Sequence, residues 1–296
     1  LLDIHLPATG LALGQNLLAA AAKQGATRIR EAVGPLLAKE SSRLSHAPAL
    51  SQTERAKLDE AYALYSTHGE GALYLCADER LLCCALGCVN IADRTEDRAQ
   101  RVFSYSVMAY TSSIVPLPAL ADLYLRKADP LRRQQMGTRV EYEFLRLRTA
   151  VFINQGRWTD ALTDCEAAMA IAKSIGDDNA LMFATQQRIW IALFCGQLDQ
   201  ALSHSVTLRA VAKRAQQAQF LAWANAYESA VQLRLGHPQA ALTELAASMD
   251  MGRRAHDLFF ELFALSHQAQ ASLALERFGD ARAQADAALG LYQVTP

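Results

Sequence analysis

An excess of charge of either sign is missing from this 296-residue chain: 29 Lys and Arg stand against 30 Asp and Glu, for a net charge of −1. That balance supplies no general field to draw the chain to nucleic acid or to an anionic membrane surface, and neither partner is expected. Arg126-Lys127 with Arg132-Arg133 is the densest basic cluster, and a solvated helix face accounts for it. Long apolar runs are missing as well. The most membrane-like stretch, Leu11 to Ala22, is twelve residues long and holds Gln15 and Asn16, whereas a spanning helix takes about 20 apolar residues. No transmembrane segment is expected. Proline is scarce, eight in all, and several stand where a helix would begin or stop.

Chemistry is short too. No Gly-x-x-x-x-Gly-Lys-Ser/Thr loop is present to cradle a phosphate, and no Gly-x-Ser-x-Gly elbow to raise a nucleophile. His5, His46, His68, His204, His237, His256 and His267 form no i, i+4 pair. Paired carboxylates such as Asp177-Asp178 read as helix starts rather than as an acid–base couple. There is no secretory signal, so the six cysteines read as reduced thiols of a cytoplasmic protein. The chain opens on Leu1 rather than Met, and further chain is expected ahead of it.

What is present is a phrase. Gly156-Arg157-Trp158-Thr159-Asp160-Ala161-Leu162 returns at Gly196 to Leu202 and at Gly236 to Leu242, with a worn copy at Glu276 to Arg282; the spacing is forty residues each time. A fixed period of this length marks a stacked helical repeat. Following the register rather than the glycine extends it. Ala161 has equivalents at Leu81, Ala121, Ala201, Ala241 and Ala281, and offsets of four and seven from it lie on one helix face. The repeats are then about six: 58–97, 98–137, 138–177, 178–217, 218–257 and 258–296. Each reads as a helix A of about eighteen residues, ending near the glycine, and a helix B of about fifteen after a tight turn. Thr159 and Asp199 are expected to cap helix B, and Pro238 to occupy a first helical position. Small residues at the Ala161 position let neighbouring helices approach closely, and stacking supplies the core that a lone pair lacks.

Residues 1–50 fall outside the period and read as a helical linker or cap: one helix around Leu11 to Ala22, a second from Thr27 to Lys39 broken at Pro35, then a loop to Ser51. Ser51 with Glu54 three residues on forms a capping box that opens the array over residues 51–296. The cluster Cys76, Cys83, Cys84, Cys88 invites a metal reading, since Cys84 and Cys88 lie one turn apart. Cys88, however, falls on the position held by Ala128 and Ala168, so a buried thiol acting as a small apolar group is preferred. No catalytic residue, cofactor or metal is expected.

Gly156, Trp158, Ala161 and Ala168 match Gly-x-aromatic-x-x-Ala followed by Ala seven residues later, which is similar to the tetratricopeptide pattern. The period here is forty instead of about 34, which resembles the longer arrays of signal-transduction ATPases with numerous domains, including sugar-responsive transcription activators. The stretch RVFSYSVMAYTSSIVPLPALADLYLRKA (101–128) looks like the segment after the ATPase module in bacterial proteins that join a class III adenylate/guanylate cyclase domain to an AAA-type ATPase. GRWTDALTDCEAAMAIAKSIGD (156–177) and FGDARAQADAALGLYQ (278–293) look like the same region. Pro116 and Pro118 in the second repeat, and Cys76 and Asp78 in the first, depart from the glycine–aromatic pattern.

The resemblance implies an all-α fold, a right-handed α-α superhelix of helix-turn-helix repeats, whose A helices line a concave groove. It implies a non-catalytic interaction scaffold, the sensor arm of a larger signalling ATPase or adenylate cyclase. A stand-alone peptide- or chaperone-binding adaptor is the alternative. Phe103, Phe183, Trp223 and Phe263 recur at one position of helix A, interrupted by Glu143, and Tyr110 and Trp190 at a second. In that register Phe103, Tyr110, Arg146, Asn154, Phe183, Gln186, Trp190, Trp223, Arg234 and Gln270 face the groove, where aromatic and polar groups together suit an extended peptide or partner helix. For any single aromatic, packing between repeats is the preferred reading. The partner is expected to be a protein, a peptide or the rest of the same polypeptide. An Ala-rich last helix, with Ala283, Ala287 and Ala288, leaves further chain or self-association into a homo-oligomer open.

Overall fold

The computed structural model describes residues 50–75, 78–114, 117–133 and 137–294, together with Ala19, Ala21, Lys23 and Gln24. All regular structure among them is helical. The helices are α1 (Gln52–Tyr74), α2 (Asp78–Thr95), α3 (Arg98–Ile114), α4 (Pro118–Arg132), α5 (Arg139–Asn154), α6 (Trp158–Ser174), α7 (Asp178–Phe194), α8 (Leu198–Arg214), α9 (Ala218–Arg234), α10 (Pro238–Arg254), α11 (Leu258–Ala274) and α12 (Phe278–Val294). This is the expected all-α helical-repeat architecture, with odd-numbered helices as A and even-numbered as B. The two helices expected before residue 40, Cys76 and Pro116 lie outside the described residues, apart from the four named above, which are helical.

The repeat is finer than forty residues. From α6 to α12 every helix has seventeen residues, so A and B are equal rather than eighteen and fifteen. Every turn from α5 to α12 is three residues long. At the first, the N–H of Gly156 donates to Ile153 O at 3.1 Å and that of Arg157 to Phe152 O at 2.8 Å. This pair of bonds is a Schellman closure, and it puts Gly156 in the left-handed region at φ 71°. The same closure recurs at 176, 196, 216, 236, 256 and 276. Glycine fills the left-handed site at 176, 196 and 236, but Gln216 (φ 54°), His256 (φ 52°) and Glu276 (φ 57°) fill it elsewhere.

This turn also corrects the expected caps. The residue after the left-handed one already stands at the N-cap, so α6 and α8 begin at Trp158 and Leu198, and the side chains of Arg157 and Gln197 at the caps make no capping hydrogen bond. Thr159 and Asp199 lie one place inside and cap nothing. Pro238 does occupy the first turn of α10. Asp177 caps α7 by accepting the Ala180 N–H at 2.8 Å, and the Ser51–Glu54 box closes in both directions, at 3.2 and 3.1 Å.

The chain divides into two compact units. The first comprises residues 1–73 and 78–131. Within it Ser104 of α3 donates to the Tyr62 hydroxyl of α1 at 3.1 Å, the Tyr65 ring lies over Gly87, and Gln24, 4% exposed, donates to Asn90 of α2 at 2.7 Å. Cys83, Cys84 and Cys88 are buried there. The second unit comprises residues 74–77 and 132–296. In it each helix packs on its neighbours in sequence, and successive A helices also touch. The core runs through Met182, Ile189, Leu208, Phe220, Trp223, Tyr227, Leu245 and Phe260. The small position behaves as expected: Ala161, Ala201 and Ala241 are 0% exposed.

Candidate partner-binding face

The expected groove residues fall in both units. Phe103 and Tyr110 are half-buried on α3 in the first unit; the rest belong to α5, α7, α9 and α11 in the second. Most of these are engaged internally. Arg146 pairs with Glu143 at 2.7 Å and lies over the Phe183 ring at 5.4 Å, while its carbonyl accepts from Gln187 at 2.8 Å. Phe183 meets Phe220 edge to face at 4.9 Å. Gln186 and Trp190 of α7 both donate to the Tyr227 hydroxyl of α9, each at 2.7 Å. Tyr227 is 0% exposed, and burial pushes its phenol well above the ordinary range, so it stays a neutral hydroxyl able to accept. Trp223, 2% exposed, is core. Its indole donates to Asp257 at 2.8 Å. Arg234 donates from Nη1 to the Leu193 carbonyl, closing the end of α7. Asn154 and Gln270 are exposed.

What remains at the surface is a stack of rings. Trp158 stacks on Phe194 at 5.4 Å and 24°, Phe194 on Trp190 at 5.4 Å and 27°, and Trp190 on Phe259 at 6.4 Å and 15°. Phe194 is 50% and Phe259 45% exposed. Behind the stack, Tyr227 and Phe263 meet Trp190 edge on, at 5.9 and 5.7 Å. Phe263 in turn carries His267 face to face at 4.0 Å. His267 Nδ1 lies 2.9 Å from Phe263 O; a carbonyl can only accept, so this nitrogen carries the proton. The offsets explain the geometry. Most ring contacts between successive A helices, such as Phe183–Phe220, Trp190–Tyr227, Trp223–Phe259 and Tyr227–Phe263, fall three or four residues short of the forty-residue register, so the aromatics descend diagonally from the end of α7 to the start of α11. The stack is held from behind by hydrogen bonds and leaves its edges to solvent, which is a rigid apolar surface with a donor, Arg234, beside it.

Trp190 and Arg234 are among the face residues expected from the sequence; Phe194, Phe259, Tyr227 and Trp158 are not. Phe194 occupies the position of Asn154 and Arg234 and could have been found there; Phe259 and Tyr227 have no recurring aromatic at their positions to signal them.

A second polar layer binds A helices to B helices. Arg148 grips Asp164 with two bonds, at 2.5 and 2.7 Å. At the next position along, Arg188 reaches Gln200 at 2.7 Å. Glu228, at the same position of α9, instead takes Arg209 from α8 of the preceding repeat. Arg188 Nη1 and Glu228 Oε1 have no hydrogen-bond partner among the described residues. Burial pushes the Glu228 carboxyl upward, against the pull of Arg209.

No described helix is long and apolar enough to cross a membrane. No family model matches the sequence, and comparison with curated proteins gives no match.

Proposed function

We propose that the chain is a non-catalytic interaction scaffold and that the aromatic stack of the second unit is its contact face. The observation that supports this reading is the Phe194 and Phe259 pair, large rings half exposed yet fixed by Trp190, Tyr227 and their hydrogen bonds. A preorganised aromatic surface loses little conformational freedom when a partner covers it, and such rings are the usual anchors of binding energy. With the resemblance of 101–128, 156–177 and 278–293, the scaffold reads as the regulatory arm of a larger cytoplasmic signalling ATPase, one that also carries a cyclase domain. The arm would act through differential affinity of its partner for two states of the ATPase. The test is ATP turnover by the full-length polypeptide, with and without Phe194→Ser and Phe259→Ser. A shifted basal rate or lost activation is expected. An unaltered rate and response, or a reading frame lacking an ATPase module, defeats the arm reading.

A stand-alone peptide adaptor is the second reading. It is favoured by Asn154, Phe194 and Arg234, which stand at forty-residue steps on successive A helices and are all exposed, a spacing suited to an extended chain. Peptide capture by the isolated chain, lost on Asn154→Ala and on Arg234→Ala, would distinguish it; capture indifferent to both would remove it.

A further inference from the structure

Each inner B helix of the second unit turns one face to the A helix that follows. That face is Ala161, Cys165, Ala168 on α6; Ala201, Ser205, Leu208 on α8; Ala241, Leu245, Ser248 on α10. All nine are 0% exposed. The contact is direct at Cys165, whose thiol donates to Ala184 O at 3.2 Å. The residues the same nineteen places beyond Ser205 and Leu245, Ala224 and Ala264, are likewise 0% exposed. On α12 the face is Ala281, Ala285 and Ala288, and it is open: Ala285 is exposed and the other two half-exposed. The three most exposed large apolar side chains named in the second unit gather at this end, Leu273 at 57%, Leu289 at 58% and Phe278 at 65%. α11 packs on α12, but no described helix covers this face of it.

The complementary face is open on α1. In forty-residue register Leu64 stands where Ser104, Ala184, Ala224 and Ala264 stand, each 0% exposed, yet Leu64 is 51% exposed. Gly71 is exposed, where Thr111, Ile191, Val231 and Ala271 are at most 2%. Thus, among the described residues, no A helix lies on this face of α12 and no B helix lies on the corresponding face of α1.

The volumes match as well. In the α10–α11 register Leu245 on the B helix faces Ala264 on the A helix. Ala285 facing Leu64 is the same pair with large and small exchanged, and volume-conserving exchange is what a packed contact tolerates best. We propose that α12 of one protomer receives α1 of a second copy in the register of the inner helix pairs, head to tail, with Ala285 against the partner's Leu64. Glu60 stands where Ala180, Phe220 and Phe260 stand, each at most 4% exposed, so the α1 face is more polar there and the contact is weak. Because the two surfaces differ, the contact is heterologous: chains add until a ring closes or growth continues.

Sedimentation of the 296-residue chain from about 5 to about 500 µM tests this. Average mass should rise with concentration. Ala285→Arg and Leu64→Arg should each hold the chain monomeric, with helical content and melting unchanged because both sites are exposed. Leu289→Arg serves in place of Ala285→Arg should that variant misfold. An equimolar mixture of the two variants retains one sound α12 face and one sound α1 face, and should form a 1:1 dimer that grows no further. A chain that stays monomeric throughout overturns the proposal. So does a mixture that remains monomeric, and so does self-association that survives Leu64→Arg, which would mean that α12 pairs with itself or with another surface.

Discussion

Trp223 and Asp257 join two A helices through a single carboxylate. The indole N–H of α9 reaches Asp257 Oδ2 at 2.8 Å, Gln219 reaches the same oxygen at 2.7 Å, and Asp257 Oδ1 caps α11 by accepting the Phe260 N–H at 2.9 Å. Asp257 is 1% exposed. Asp257→Ala removes the cap and strands two donors, one of them buried. A loss of about 2–4 kcal/mol is expected. Asp257→Asn keeps the capping oxygen but presents an amide N–H₂ to the indole, so it should fall between wild type and Ala. Denaturant unfolding followed by tryptophan fluorescence orders the three proteins, and an Asn variant as unstable as Ala would show that the cap contributes nothing.

The turns predict opposite signs for one chemical change. Gly156→Ala places a Cβ at φ 71° and should destabilise by about 1–2 kcal/mol. Gln216→Gly and His256→Gly relieve left-handed residues in the same closure, and each should stabilise by about 0.5–1 kcal/mol after the greater unfolded-state freedom of glycine is counted. Thermal unfolding of the three variants measures this; a uniform sign would mean that the turns are not equivalent.

Tyr227→Phe tests the support of the aromatic stack. It removes the oxygen that accepts from Gln186 and Trp190 and leaves the ring. A loss of about 1–3 kcal/mol is expected, with a change in Trp190 emission. Phe194→Ser, on the exposed side, should leave stability within about 1 kcal/mol and act on partner binding instead.

Helix identity, the forty-residue register and the buried small position were legible because each depends on spacing alone. Cys88 as packing could be read from Ala128 and Ala168. The twenty-residue half-period was not, since Gln216, His256 and Glu276 adopt the glycine conformation without being glycine. Nor could the face be read through. Periodicity places Trp223 and Trp190 near one side of helix A, but whether a ring points at the next repeat or at solvent depends on how far successive helices slip past each other. That slip of about one turn buries Trp223 and brings Phe259, from a position with no aromatic pattern, to the surface beside Trp190.

Acid should weaken the fold through two histidines. Burial lowers His267, Arg234 adds to this, and the bond to the Phe263 carbonyl opposes it. Burial also lowers His204, with Arg188 and Lys173 adding and Glu166 opposing. With folded values below the unfolded value of about 6.5, the unfolded chain takes up protons first as pH falls. Stability is therefore complete above that value and is lost as pH drops through it towards the folded values. Unfolding free energy measured from about pH 7.5 to 5.5 should decline, and the decline should be smaller in the His204→Gln/His267→Gln variant. An equal slope in both proteins would refute the assignment.

The thiols divide by burial and should divide by reactivity. Burial pushes Cys84, Cys88 and Cys165 up to about 12 and raises Cys83 as well, so almost no thiolate is present at neutral pH, and each sulfur is also shielded from reagent. Cys195 is exposed at the end of α7. In a Cys76→Ser background, an aromatic disulfide reagent at about pH 8 should modify Cys195 at once and the four buried thiols at least about 100-fold more slowly. Their modification then requires opening of the helices that cover them, and adding urea below the unfolding midpoint should accelerate it. Cys165 belongs to one compact unit and Cys83, Cys84 and Cys88 to the other, so mass spectrometry of the partly modified chain reads the opening of each unit separately. Rapid modification of Cys165 in the absence of denaturant would show that the α6–α7 contact is not closed in solution.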